Sequence, residues 1–244
     1  MNWTFFHKLG SPKWFYDISG RWLPWLQVSS LVLILVALVW GVAFTPPDYL
    51  QGNSYRIIFV HVPASFLAQA VYMMMAAAAA VTLIWKIKLA DMALKVMAPI
   101  GTSFCVLSLV TGAIWGQPTW GTWWVWDARL TSMLILLFLY IGIIALRGAI
   151  QTAGVAAKAS AILSLVGAVN IPIIKFSVAW WNTLHQGVTL KLTEKPSMAP
   201  EMLWPLLLAI FGFYLFFSLV MVLRLRIEIL SRERKTRWVR ELVG

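Results

Sequence analysis

Charged residues are scarce in this chain of 244 residues, where they make up 12% of the sequence. That share is about half of what a soluble globular domain usually carries. Hydrophobic residues account for 61%, and several apolar runs approach the roughly 20 residues that an α-helix needs to cross a bilayer. The composition excludes an ordinary soluble enzyme or binding module and predicts an all-α integral membrane protein.

Cysteine is nearly absent as well. The single one, Cys105, lies inside an apolar run, which excludes a disulfide framework, a CxxC pair and a cysteine zinc site within the chain. The first twenty residues are polar and aromatic and lack an apolar stretch ending at a small-residue cleavage site. We therefore expect no cleaved signal peptide.

Acidic residues are the scarcer of the two charge types. The chain has 9 Asp and Glu against 20 Lys and Arg, a formal net charge of +11. In a soluble protein such an excess would suggest nucleic acid as a partner. Here the basic residues cluster between apolar runs, so membrane topology explains them better. We expect the lipid bilayer to be a partner and nucleic acid not to be one.

Six apolar segments have the length and composition of membrane spans, and neither an internal repeat nor an inserted soluble domain is visible. The chain is therefore predicted to form one six-span membrane domain over residues 1–244. The predicted spans cover about 22–43, 62–85, 96–114, 130–146, 159–177 and 202–223.

The basic residues also predict the orientation of the chain. Most lie in the N-terminal segment, the second and fourth loops and the C-terminal tail, and this excess marks the cytoplasmic side. Both termini are therefore expected in the cytoplasm, and the first, third and fifth loops on the outer side. The basic residues expected on the outer side are Arg56, Arg129, Lys175, Lys191 and Lys195.

A tryptophan-rich segment, residues 115–127, forms the predicted third loop. It contains five of the fifteen tryptophans of the chain, which are Trp115, Trp120, Trp123, Trp124 and Trp126. One interpretation is an aromatic belt at the membrane interface. Belt residues are usually scattered, however, and a short surface helix from Thr119 would place Trp120, Trp123 and Trp124 on one face. Such a face could stack against a flat aromatic ligand.

Two of the three histidines, His61 and His185, lie at the outer ends of predicted spans. Each alone is best explained as an interfacial residue. Loop parity nevertheless puts both on the same membrane face as the tryptophans. Two neutral imidazoles can hold one metal from opposite sides, and no zinc-type ligand spacing is present. A large aromatic ligand that carries its own metal fits this set better than a bare ion.

Three charged residues lie near this aromatic surface. Asp127 and Arg129 flank the start of the fourth span, and they either form a weak surface pair or contribute to the site. In the second case Arg129 and Arg56 would receive two carboxylates of a ligand, because the guanidinium fork bonds both oxygens of a carboxylate. Asp127 would then orient a neighbouring side chain.

Three segments together resemble a known family. The stretch from Trp115 to Asp127 is similar to the "WWD" motif of haem-handling membrane proteins. The segments Gln51–Ala64, which contains His61, and Trp180–Gly187, which contains His185, are similar to those of the family of cytochrome c maturation protein C (CcmC), or haem exporter protein C. The resemblance covers nearly the whole chain and its motifs are specific.

The resemblance implies a function that spacing alone would not. Members of this family hold haem at the periplasmic face of the bacterial inner membrane and promote its attachment to the haem chaperone CcmE for c-type cytochrome biogenesis. They work beside the ABC transporter subunits CcmA and CcmB and the small membrane protein CcmD. By this resemblance His61 and His185 are the axial ligands of a non-covalent, b-type haem, and the tryptophan-rich segment is its platform.

Two other functions are weighed against this one. A permease moving haem or another solute would need polar or charged groups within its spans, and these are few. A haem-b electron-transfer subunit usually has histidines inside helices, often paired across the bilayer. No Ser/His/Asp or Cys/His catalytic set is visible, so a stand-alone enzyme is not expected.

Overall fold

The computed structural model describes residue 8, residues 10–185 and residues 198–244. Its helices are α1 (Pro12–Ser19), α2 (Leu23–Val39), α3 (Ile58–Trp85), α4 (Lys88–Trp120), α5 (Ala128–Ala149), α6 (Ala153–Gly167), α7 (Asn170–Trp180), α8 (Pro200–Arg232) and α9 (Arg237–Val243). Within these ranges no strand is formed beyond an isolated bridge between Asp48 and Gly52.

In the described part of the chain, six helical stretches are long and apolar enough to cross a membrane. The prediction of an all-α, multi-pass membrane protein is therefore confirmed. Short 3-10 or π turns extend some helices, so that the stretches run Pro12–Phe44, Ser54–Trp85, Lys88–Trp120, Ala128–Ala149, Ala153–Trp180 and Pro200–Arg232.

Small residues at the helix interfaces allow aromatic rings to pack deep inside the bundle. Tyr72 on α3 and Tyr140 on α5 are fully buried and meet edge to face, with ring centroids 5.1 Å apart. The Tyr140 hydroxyl donates to the Ala68 carbonyl at 2.7 Å. A Cβ at Gly101 on α4 would lie 2.3 Å from the Tyr140 ring, so only glycine allows this approach. Close contact at small residues is typical of membrane helices.

A cluster of charged residues joins α4, α5 and α8 at one end of the bundle. The Asp91 carboxylate accepts from Arg147 at 2.7 Å and from Arg232 at 2.6 Å. Glu228 accepts from Arg232 and from Lys95, each at 2.7 Å. Asp91 and Glu228 are buried, so the cations stabilise carboxylates that could not remain charged alone. We call this set the ion-pair cluster.

The tryptophan-rich segment differs from its prediction. Residues 115–120 are the last turns of α4, and no short surface helix starts at Thr119. The helix ends because Gly121 has a φ of +76°, the left-handed conformation that favours glycine at a helix C-terminus, and its N–H bonds the Gln117 carbonyl. Residues 122–127 are not helical, so the 120/123/124 spacing does not place three tryptophans on one face.

The fifth spanning stretch is interrupted between Gly167 and Asn170, where α6 gives way to α7. The buried Asn170 amide donates to the Ser132 carbonyl of α5 at 2.9 Å, which ties the break to a neighbouring helix. Helix α7 ends at Trp180, and His185 follows four residues after Trp181 in a non-helical segment. Residues 186–197 of the predicted fifth loop, which include Gln186, Gly187, Lys191 and Lys195, lie outside the described residues.

Candidate functional site

The two histidines line one cleft at the end of the bundle opposite the ion-pair cluster. His61 comes from the start of α3, and His185 from the segment after α7. The space among its lining residues is about 380 Å³, a volume that includes open solvent. Its other lining residues are Ser65, Ser108, Leu109, Gly112, Ala113, Trp124, Arg129, Leu130 and Met133.

His61 is held between two helices. Helical structure already begins at Ser54, so His61 and the buried Pro63 lie inside the helix. The His61 Nδ1 atom lies 3.0 Å from Thr111 Oγ1 on α4. The Trp115 ring meets the imidazole edge to face, with centroids 5.6 Å apart.

His185 is held by contacts to the start of α5. The Thr183 hydroxyl donates to Asp127 Oδ2 and accepts from the His185 backbone N–H at 3.1 Å. The imidazole packs on Trp120, with ring centroids 4.9 Å apart. Burial lowers the pKa of His185 to about 4, the positive Arg129 acts in the same direction, and Asp127 opposes both. The imidazole is therefore neutral at pH 7 and can ligate a metal.

The tryptophans divide into a half-buried group and an exposed group. Trp115, Trp120 and Trp124 are half-buried, and each lies at the cleft or against one of its histidines. Trp123 and Trp126 are 60% and 77% exposed. Trp126 still touches Trp124 edge to face at 5.4 Å. The segment therefore presents one aromatic surface to the cleft and another to the surroundings.

Of the three charged residues predicted for the site, one lines the cleft and two make contacts within the protein. Arg129 lines the cleft. The Arg56 guanidinium instead donates to the Thr45 carbonyl at 2.7 Å, and Arg56 is not among the lining residues. Asp127 caps α5 by accepting from the Leu130 N–H at 2.8 Å. Among the described residues it forms no ion pair with Arg129 within 4.0 Å.

The lining of the cleft combines metal-ligating, apolar and positively charged side chains. It contains the imidazoles of His61 and His185, the apolar side chains of Leu109, Leu130 and Met133, and the guanidinium of Arg129. Two buried N–H or N atoms, His185 Nδ1 and Trp124 Nε1, have no hydrogen-bond partner within the described chain. Unpaired buried polar atoms are costly, so a ligand that gives them partners would stabilise the site.

Three contributors were not predicted from the sequence: Thr111, Gln51 and Thr183. Thr111 lies four residues before the predicted site residue Trp115, and this helical spacing could have placed it on the same face of α4. Gln51, whose side chain accepts from Trp115 Nε1 at 2.8 Å, and Thr183 both lie within segments that carry the family resemblance. Their contacts depend on how loops meet helices, which no local pattern encodes.

These features define a class: a multi-pass membrane protein with an aromatic, two-histidine cleft at one end of its helix bundle. Comparison with known proteins gives the family. The family described as "Heme exporter protein C" (CcmC) matches residues 5–240, and the chain belongs to it.

Similar proteins extend over the full chain. The chain is 51% identical to heme exporter protein C of Haemophilus influenzae, over 98% of each sequence. It is 49% identical to the Escherichia coli protein of the same name, over 99% of this chain and 97% of the relative. For the Bradyrhizobium diazoefficiens protein the identity is 45%, over 92% and 85%.

Proposed function

We propose that this protein binds haem in the cleft between His61 and His185 and takes part in haem export for c-type cytochrome biogenesis. The observation that carries the proposal is that two distant histidines line one cleft in a member of a family named for haem export. The protein acts as a holder that hands haem to the chaperone CcmE, beside CcmA, CcmB and CcmD.

His61 and His185 would ligate the iron of a non-covalent, b-type haem. Neutral imidazole is a good axial ligand, and the lowered pKa of His185 keeps that ring neutral at physiological pH. When bound, the haem supplies the reactive ring and the iron, while this chain supplies ligation and position. The half-buried Trp115, Trp120 and Trp124 would exclude water from the ring edges and iron ligands.

Arg129 is proposed to receive a haem propionate, because a guanidinium bonds a carboxylate in a charge-assisted way. Its place in the cleft favours it over Arg56. Arg56 is instead assigned to holding the outer loop through Thr45. Asp127 is assigned to holding the His185 segment through Thr183.

The exposed side chains of the same end would meet a partner or the membrane surface. Trp123, Trp126, Trp181 and Leu184 all expose more than half of their area. We place this end at the periplasmic face of a bacterial inner membrane and both termini in the cytoplasm, because basic residues dominate the opposite end.

A permease is the weaker alternative. Buried hydroxyls within the spans donate to backbone carbonyls of their own helices, as Ser160 does to Ala156 at 2.7 Å and Ser164 to Ser160 at 2.8 Å. Each of these hydroxyls has already donated its single proton, so it has no donor left for a solute. This favours binding at one face over passage through the bundle.

Absorption spectroscopy of the purified protein tests the proposal. The wild type, supplied with haem, is expected to give the spectrum of a low-spin, six-coordinate haem with two imidazoles. His61→Ala and His185→Ala should each lose it, whereas His7→Ala, the control, should retain it. No haem binding by the wild type, or wild-type spectra in both cleft variants, would overturn the proposal.

A further inference from the structure

Among the described residues, one side chain lies within hydrogen-bonding distance of the His61 imidazole, and this contact bears on which ring nitrogen carries the proton. His61 Nδ1 and Thr111 Oγ1 are 3.0 Å apart. A neutral imidazole has one N–H and one lone pair, and a hydroxyl can either donate or accept. Distance alone leaves the direction of this bond open.

The other contacts of Thr111 settle the direction. Its Oγ1 lies 2.6 Å from the Leu107 carbonyl, one turn earlier in α4, and 3.3 Å from the Ser108 carbonyl. Carbonyl oxygens only accept, so the single hydroxyl proton is donated along α4. Thr111 Oγ1 can then only accept from His61. Nδ1 carries the proton, and the lone pair is on Nε2.

The surroundings hold the ring in this orientation. Thr111 is buried. A Cβ on Gly112 would lie 3.0 Å from His61 Cε1, so the imidazole packs directly on the backbone of α4. Trp115 closes the same side edge to face. Among the described residues, Nδ1 is the His61 ring nitrogen that has a side-chain partner, and His61 lines the cleft.

We propose that Thr111 is a positioning residue that fixes His61 as the Nδ1–H tautomer and leaves Nε2 free to ligate in the cleft. This inference rests on the proposed function, since it names the ligating atom of a haem site. Among the described residues, His185 Nδ1 has no hydrogen-bond partner and lies 3.7 Å from Asp127 Oδ2, so its ring has no equivalent support there. The His61 side is thus the preorganised half of the site.

The hydrogen bond also tunes the ligand. An Nδ1–H donated to a fixed acceptor orients the ring and raises the basicity of Nε2. Removing the acceptor is expected to weaken haem affinity by about 10- to 100-fold, the usual range for the partner of a metal-ligating histidine. A less basic ligand also stabilises ferric iron less, so the midpoint potential of the haem should rise.

The direct test uses haem-free protein. Nitrogen NMR of ¹⁵N-histidine-labelled protein distinguishes protonated from unprotonated ring nitrogens, and the His61 signals are assigned by their loss in His61→Gln. The wild type should show Nδ1–H and a bare Nε2. Thr111→Val, which keeps the shape but removes the acceptor, should shift His61 to the other tautomer or a mixture. A wild type with Nε2–H, or an unchanged tautomer in Thr111→Val, would overturn the proposal.

Two variants separate positioning from general effects. Thr111→Ser keeps the hydroxyl and should retain the wild-type tautomer. Thr102→Val is the matched control, because Thr102 makes the same bond within α4, to the Ala98 carbonyl at 2.8 Å. It should leave the His61 signals and haem affinity unchanged. Loss of affinity in Thr102→Val equal to that in Thr111→Val would assign the effect to the helix and refute the positioning role.

Haem titration and potentiometry give a second readout that separates this inference from the proposed function. If wild-type protein binds no haem, the proposed function fails, while the tautomer remains measurable in the haem-free protein. If wild type binds haem and Thr111→Val binds it with unchanged affinity and potential, the positioning role fails alone. The expected result is weaker binding and a raised potential in Thr111→Val, with recovery in Thr111→Ser.

Discussion

Asp127 and Thr183 connect the first turn of α5 to the segment that carries His185. One carboxylate oxygen of Asp127 caps the helix through the Leu130 N–H, and the other accepts from the Thr183 hydroxyl. Thr183 in turn accepts from the His185 backbone. A single side chain therefore ends the tryptophan-rich segment and fixes the position of a histidine 58 residues later in the sequence.

Thr183→Val should release His185 without unfolding the bundle. The valine keeps the shape of threonine but loses both the hydroxyl proton and the acceptor, so the His185 segment loses its link to Asp127. We expect about tenfold weaker haem binding, measured by spectral titration, from the loss of a charge-assisted hydrogen bond. Thr183→Ser should restore it. Equal affinity in valine and wild-type proteins would show that this link does not position His185.

Alanine substitutions of Trp120 and Trp123 should differ in their effects on haem retention. Trp120 packs on His185, whereas Trp123 is 60% exposed. Trp120→Ala should weaken haem retention several-fold, as expected when an aromatic contact worth about 1 kcal/mol is removed. Trp123→Ala should retain haem in the isolated protein and instead reduce contact with a partner or the membrane. Retention is measured by haem loss to an excess of apomyoglobin, and the reverse order would contradict this division.

The two arginines offer a matched pair. Arg129→Gln removes the positive charge from the cleft and should lower haem affinity about tenfold if it receives a propionate. Arg56→Gln should affect the outer loop and leave affinity near wild type. Titration with haem dimethyl ester, which lacks free propionates, is the critical comparison. An Arg129→Gln defect that persists with the ester would refute the carboxylate role.

Gly101→Ala should destabilise the bundle. The new methyl would overlap the Tyr140 ring, and overpacking of this kind costs about 1 to 3 kcal/mol. Gly142→Ala on α5 is the control, because its Cβ would meet no atom closer than 3.8 Å. Thermal unfolding in detergent should therefore show a lower midpoint for Gly101→Ala and an equal or higher one for Gly142→Ala. Equal lowering in both would contradict the packing argument.

Asp91→Asn should destabilise the opposite end. It removes the carboxylate shared by Arg147 and Arg232. Arg232 keeps Glu228, but the largely buried Arg147 loses its counter-charge, and such losses cost on the order of 3 kcal/mol. Asp17→Asn is the control, because its pair with Lys13 is exposed and exposed pairs contribute roughly 0 to 1 kcal/mol. The unfolding midpoint should fall clearly only for Asp91→Asn. A similar fall in both would contradict the role of burial.

The fold class followed from composition because a long apolar helix is the simplest solution in lipid. The six spans needed only the length of apolar runs. Loop parity likewise put His61, His185 and the tryptophans at one face without any knowledge of packing. Local patterns could not predict that α4 ends at Gly121. The tryptophans continue beyond this glycine, and their spacing is also that of a helix.

The details of the site depend on helix register, which composition does not encode. Thr111 meets His61 only because α3 and α4 pack at one particular offset. Asp127 has Arg129 two residues away, which suggested an ion pair, but the carboxylate serves a helix cap and Thr183 instead. The ligand roles of His61 and His185 stay predictions until haem is measured.

The end of α7 at Trp180 has a consequence for how such a cleft opens. His61 belongs to a spanning helix whose displacement would disturb the packed interior. His185 belongs to a short segment beyond a helix end, joined to α5 through Thr183. Local opening of a few hydrogen bonds requires far less free energy than global unfolding. The cleft therefore combines one side that is fixed in the bundle, at His61, with one side that can be released locally, at His185.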